Sequence, residues 1–251
     1  MSSVSMDEQR THSIPGRSRM LVTAAVLTAV IAFVGFWPTY FGPLVSGNVD
    51  ASSLLHFHAA VQTAWLGLLV AQIFLASTGH LALHMKAGRW IVGFSVVVCC
   101  FSLAVIFDGF ARHIAAGEVA TAQRGLFGHL REVVWFAAFV LAGWVFRRRP
   151  ETHKRLMLIA TVLLMHPAVG RRMTFLPQPV PLLLFMLVWG LPIYLMMIYD
   201  YAKQRIVHPA YVIGVLAMLA ERLVLPLRTS ETWMTISGWL VQLYQSSGNS
   251  Q

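Results

Sequence analysis

Charge is what this chain has least of. Asp, Glu, Lys and Arg make up 12% of its 251 residues, where a soluble domain carries about a quarter. Beside 57% apolar residues and a mean hydropathy of +0.66, that shortage excludes an ordinary soluble enzyme, a disordered chain and a disulfide-stapled secreted module. Cysteine is nearly absent: Cys99 and Cys100 stand side by side in an apolar run and read as small packing residues. Several motifs are missing as well. There is no aspartate-rich pair for a prenyl diphosphate, no HExxH, no Gly-rich phosphate loop, no Ser in a G-x-S-x-G setting, and no lysine in the last apolar run for retinal. The excess of 19 Lys and Arg over 10 Asp and Glu is scattered over short segments without a stacking surface. Nucleic acid is therefore not an expected partner.

What is present is length in apolar runs. A bilayer core of about 30 Å takes roughly 20 apolar residues as a helix. Seven stretches qualify: 20–37, 55–78, 90–108, 130–146, 155–170, 181–201 and 209–226. The expected fold is all-α, a polytopic membrane bundle of about seven transmembrane helices. Residues 1–19 form a polar tail, 20–226 the transmembrane domain and 227–251 an amphipathic tail at the outer face. No small-residue cleavage motif follows the first run, which is expected to be retained. Pro167 should end the fifth span and Pro192 should kink the sixth. Arg10, Arg17, Arg19, Lys86, Arg89, the 147–155 segment with five basic residues, and Lys203 with Arg205 fall on one side. The positive-inside rule then places the N-terminus inside and the C-terminus outside. Trp233, Ile236, Leu240 and Leu243 recur at helical spacing, which predicts an interfacial helix over 232–244.

With charge so scarce, each ionisable group at membrane depth is a functional candidate. On the second span His58, Gln62, Gln72 and His80 fall within about 80° of one another around the helix, with Trp65 on the same stripe. Such a face turns away from lipid, either as inter-helix glue or as the lining of a cavity, with Gln62, Trp65 and Gln72 on its wall. Two layers of histidine and carboxylate follow from the topology. The outer layer holds His56, His58, Asp108, His129, Glu132 and Glu221 as candidate metal ligands, with His166 near Arg171 and Arg172. Imidazole with carboxylate is the donor set for zinc or non-haem iron. The inner layer offers His80, His84, His153, Asp200 and His208, though its dense positive charge opposes a cation and suits anionic lipid headgroups. Haem b is the alternative use of a histidine pair. His58 and His80 lie about 33 Å apart along a helix, too far for two stacked haems on one span.

The segments HFHAAVQTAWLGLLVAQ (56–72), TGHLALHMKAGR (78–89), RRRPETHKRLMLIATVLL (147–164) and VHPA (207–210) resemble a widespread group of bacterial multi-spanning inner-membrane proteins. Members share HxHAA…TAW…Q, ALHxxxG, HKRLMLxAT and VHPA segments in that order, and the likeness covers most of the chain. It implies the bacterial inner membrane and a multi-pass fold, but no reaction, since the group has no settled activity. His58, His84, His153 and His208 are the group-like histidines, joined by His56. A looser analogy of architecture alone links the chain to seven-span zinc hydrolases of the progestin-receptor and ceramidase type. The function expected is an intramembrane enzyme or sensor acting on a lipophilic molecule through a histidine-lined cavity. The alternatives are a haem-binding redox protein and a non-catalytic subunit or small transporter whose polar stripe is only packing.

Overall fold

The computed structural model describes residues 15–248, so most of the polar N-terminal tail, His12 included, lies outside the described residues. The described chain is helical throughout, with no strand: α1 (Pro15–Phe36), α2 (Gly42–Val45), α3 (Ser53–Ser77), α4 (Leu81–Ala115), α5 (Val119–Val145), α6 (Pro150–Leu164), α7 (His166–Met173), α8 (Leu182–Gln204), α9 (Pro209–Leu223) and α10 (Glu231–Gly248). Seven segments are long and apolar enough to cross a membrane, from Arg19–Val45 to Pro209–Thr229. The protein is a multi-pass membrane helix bundle.

Local chemistry sets the helix ends. Ser52 caps α3, its hydroxyl accepting from the Leu55 N–H (3.3 Å). His208 does the same for α9, its Nδ1 accepting from the Ala210 N–H (3.1 Å), with Pro209 at the first helical position. Gly79, at φ +85°, turns α3 back into α4. At the end of α6, Pro167 has no N–H to give the Leu163 carbonyl, so the helix breaks at Met165 and restarts as α7. The span nevertheless runs on to Met173, past the end expected at Pro167. Pro192 sits inside an unbroken α8, as bilayer helices tolerate where neighbours take up the freed carbonyl. α4 is far longer than the 90–108 expected: 35 residues, about 52 Å at ~1.5 Å per residue.

α6 is the central element. Leu158, Ile159, Ala160, Thr161, Val162 and Leu163 are all buried in sequence, the pattern of a helix covered on every side. α5, α8 and α9 pack around it, while α1 lies against α7, α3 and α8. Gly35 makes the α1–α7 approach possible: a Cβ there would sit 2.5 Å from the Ala168 carbonyl oxygen. Small residues of this kind let bilayer helices gain dispersion contacts where no hydrophobic force separates them from lipid.

Arg155 is read from sequence as one of the loop cations, and the structure corrects this. It is fully buried, ion-paired with Asp200 of α8 and bonded to Glu151 (2.8 Å), with the Tyr211 hydroxyl of α9 donating to Asp200 (3.2 Å). A guanidinium at the foot of α6 cannot reach water past α8 and α9, so it takes a carboxylate instead. α10 docks by side chains. Trp233 Nε1–H donates to the Gln123 carbonyl (2.8 Å), and the Gln123 amide donates to Met234 O (3.1 Å) and Ser237 Oγ (3.0 Å). Val241 of α10 joins Phe110, Ile114, Ala122 and Leu126 in a small apolar cluster at that end of the bundle.

Candidate functional site

A cavity of about 830 Å³ opens between α1, α3, α4, α5 and α7. Most of its wall is aliphatic or aromatic, including Val26, Phe33, Leu66, Val70, Val105 and Leu126. The polar side chains gather toward the α3 N-terminus: His58, Gln62, Ser102, His129, Glu132 and Arg171. The stagger of α3 explains its share. Leu55, His58, Ala59, Gln62, Thr63, Leu66, Gly67 and Val70 recur at three- and four-residue spacing and form one face. Gln62 is fixed by donating its amide to Ser102 Oγ (2.9 Å), and Ser102 in turn donates to the Val98 carbonyl (2.8 Å). His58 Nδ1 is buried with no hydrogen-bond partner.

Glu132 is the centre of the polar end. His166 Nδ1–H of α7 donates to its Oε1 (2.7 Å), and His129 Nδ1–H, one turn before it on α5, donates to Oε2 (3.3 Å). One carboxylate is thus shared by two imidazoles. The His129 side chain is 54% exposed and Glu132 only 9%, so the pair joins open space to the interior. His166 is packed edge-on against Trp189 (5.0 Å between ring centroids) and near Phe185 (5.3 Å). Behind Glu132, Arg131 pairs with Glu221, and Arg222 lies 3.7 Å over the Phe185 ring, within electrostatic reach of both carboxylates.

The remaining sequence candidates of this layer lie elsewhere. Asp108 pairs with Arg112 (3.0 Å) on its own helix, and His56 is hydrogen-bonded to the Tyr40 hydroxyl (2.9 Å) at the cavity edge. Trp65 and Gln72, expected on the cavity wall, are not there. Trp65 faces α6 and donates Nε1–H to Thr161 Oγ1 (3.2 Å), while Gln72 is buried beside Gly88 of α4. The reason is rotation: Gln62 sits at the edge between two faces of α3, one carrying Leu66 and Val70 into the cavity and the other turning Trp65 to α6 and Gln72 toward α4.

The opposite layer does not assemble into one site either. His80 is exposed and bonded to Thr78 (3.0 Å), off the end of α3. His208 spends both nitrogens, accepting at Nδ1 as the α9 cap, which leaves Nε2–H directed at Thr152 Oγ1 (3.5 Å). Asp200 serves Arg155 and Tyr211. His84 and His153 do face one another, ring centroids 6.4 Å apart. Their Nδ1–H groups donate to the Gln72 carbonyl (3.2 Å) and the Gly143 carbonyl (2.8 Å), which places the unprotonated lone pair on each Nε2.

Among the described residues, no three His, Cys, Asp or Glu side chains are grouped so as to hold a metal ion. Comparison with protein-family models, with curated proteins and with solved structures returned no match to this chain. Sequence reasoning missed Arg131, Ser102 and the role of Arg171. Arg131 carries a signal, being a charge inside the fourth span. Ser102 carries none, because a serine in an apolar helix ordinarily bonds its own backbone.

Proposed function

We propose that this protein binds a lipophilic small molecule in the cavity between α1, α3, α4, α5 and α7, and handles a proton on it through Glu132. The observation that carries this reading is the cavity's division into a long apolar wall and one polar end. Its volume lies within the ~300–1,000 Å³ of small-molecule sites, which are mostly apolar with a few placed polar groups. Glu132, accepting from two imidazoles, can take up a proton from His129 on the open side or from His166 on the closed side. No metal is required for that role. Residence in a bacterial inner membrane goes with the segment resemblance and belongs to the same proposal.

The test is occupancy. Gly125 lines the cavity and a Cβ there would meet nothing within 4 Å, so Gly125→Phe can leave the backbone without a clash and put a ring into the space. Purified protein in nanodiscs is expected to bind a fluorescent lipophile saturably. Gly125→Phe should abolish that signal while eluting as a folded monodisperse species. Equal binding by the two proteins refutes the cavity as the site.

A second reading attaches to His84 and His153, because two fixed imidazoles with bare Nε2 atoms are the donors a haem iron takes. It predicts a Soret band in protein purified without chelator, lost in His84→Ala and His153→Ala. A colourless protein that stays colourless with added haemin removes it.

A further inference from the structure

The polar end of the cavity carries a guanidinium that pairs with no carboxylate among the described residues. Its charged wall residues are Arg112, Glu132 and Arg171. Arg112 is committed to Asp108 at 3.0 Å, and Glu132 to two histidines. Behind the wall, Arg131 is paired with Glu221. Arg171 makes neither an ion pair nor a hydrogen bond among the described residues; its guanidinium lies 5.3 Å over the Phe36 ring. Glu132, the carboxylate on the wall, acts on Arg171 only through space, its oxygens already accepting from His166 and His129. Arg171, exposed and without an ion pair among the described residues, thus presents a positive charge beside an apolar space.

Resting on the reading that the cavity holds a lipophilic molecule, we infer that the molecule is a single-chain amphipath with a monoanionic carboxylate head. The head would sit on Arg171, and the chain would run along Leu66 and Val70. Arg171 offers a planar fork of N–H groups that matches a carboxylate in shape. One guanidinium on the wall without an ion pair among the described residues calls for one negative charge, not two. A volume of about 830 Å³ suits one acyl chain and not a two-chain phospholipid.

The experiment compares a long-chain fatty acid with the fatty alcohol of equal length, both displacing a fluorescent lipophile from the intact protein in nanodiscs. The acid is expected to bind roughly tenfold or more tightly than the alcohol. Arg171→Gln should bring the acid down to the alcohol's affinity and leave the alcohol unchanged, while Arg171→Lys should keep part of the preference. Elution profile and helical signal establish that each variant is folded. Equal affinity for acid and alcohol in the unaltered protein overturns the carboxylate inference but leaves the cavity reading standing. So does an Arg171→Gln variant that weakens both alike. If neither compound displaces the probe, the cavity reading falls and this inference falls with it.

Discussion

Glu132 and Arg155 are both charges inside an apolar bundle, and each is held in a different way. Glu132 has two imidazoles, groups that can themselves gain or lose a proton, and it touches a cavity. Arg155 has two carboxylates and a tyrosine, is wholly enclosed, and is not on the wall of that cavity. The first arrangement sets three titratable groups side by side at the cavity; the second ties α6, α8 and α9 together. Removing one member of a buried pair strands the other, at about 3–5 kcal/mol, whereas replacing both with apolar groups is often neutral. Arg155→Met alone should therefore lower the thermal midpoint in detergent sharply. The double variant Arg155→Met with Asp200→Leu should recover most of it, as read by a fluorescence melt. A double variant no better than the single one would mean the network does more than compensate charge.

At the scale of elements, close approach and break decide the site. Because α6 stops at Met165, α7 can turn His166 toward α5 and Arg171 toward α1. Gly35 then lets α1 lie directly on α7. A Cβ at Gly35 would meet backbone atoms of Ala168, which cannot move aside as a flexible side chain can. Gly35→Ala should cost about 1–3 kcal/mol and weaken lipophile binding by widening the α1 side of the cavity. Gly67→Ala, a control inside α3 at a cavity position with no atom within 4 Å of the added Cβ, should hold the melting midpoint or raise it by about 2–4 °C, since alanine favours the helix over glycine.

For the whole molecule, the sequence expectation of an inside N-terminus and an outside C-terminus makes the polar end of the cavity face outward. That orientation rests on the uneven Lys and Arg of the connecting segments. A periplasmic phosphatase fused after residue 251 should be active in bacterial cells and a fluorescent protein at the same point dark. The reverse pattern would turn the cavity's polar end, and any proton path through Glu132, toward the cytoplasm.

The amino-acid sequence by itself determined that this chain is a helical membrane bundle, how many spans it has, and at which few positions ionisable groups fall in or beside them. Those properties are local: apolar run length, helix period and the cost of charge in hydrocarbon are read a few turns at a time. It placed His129 with Glu132 because i, i+3 neighbours share a helical face. Which helices then face one another depends on rotation and neighbours, and only the tertiary structure decided that. It brought His166 and Arg171 to the Glu132 end, sent Trp65 to Thr161, and gave Asp108 to Arg112 and Asp200 to Arg155. The two histidine layers came apart for the same reason. Residues at one depth in a bilayer share a height, but they share a site only where the helices that carry them pack with those faces together.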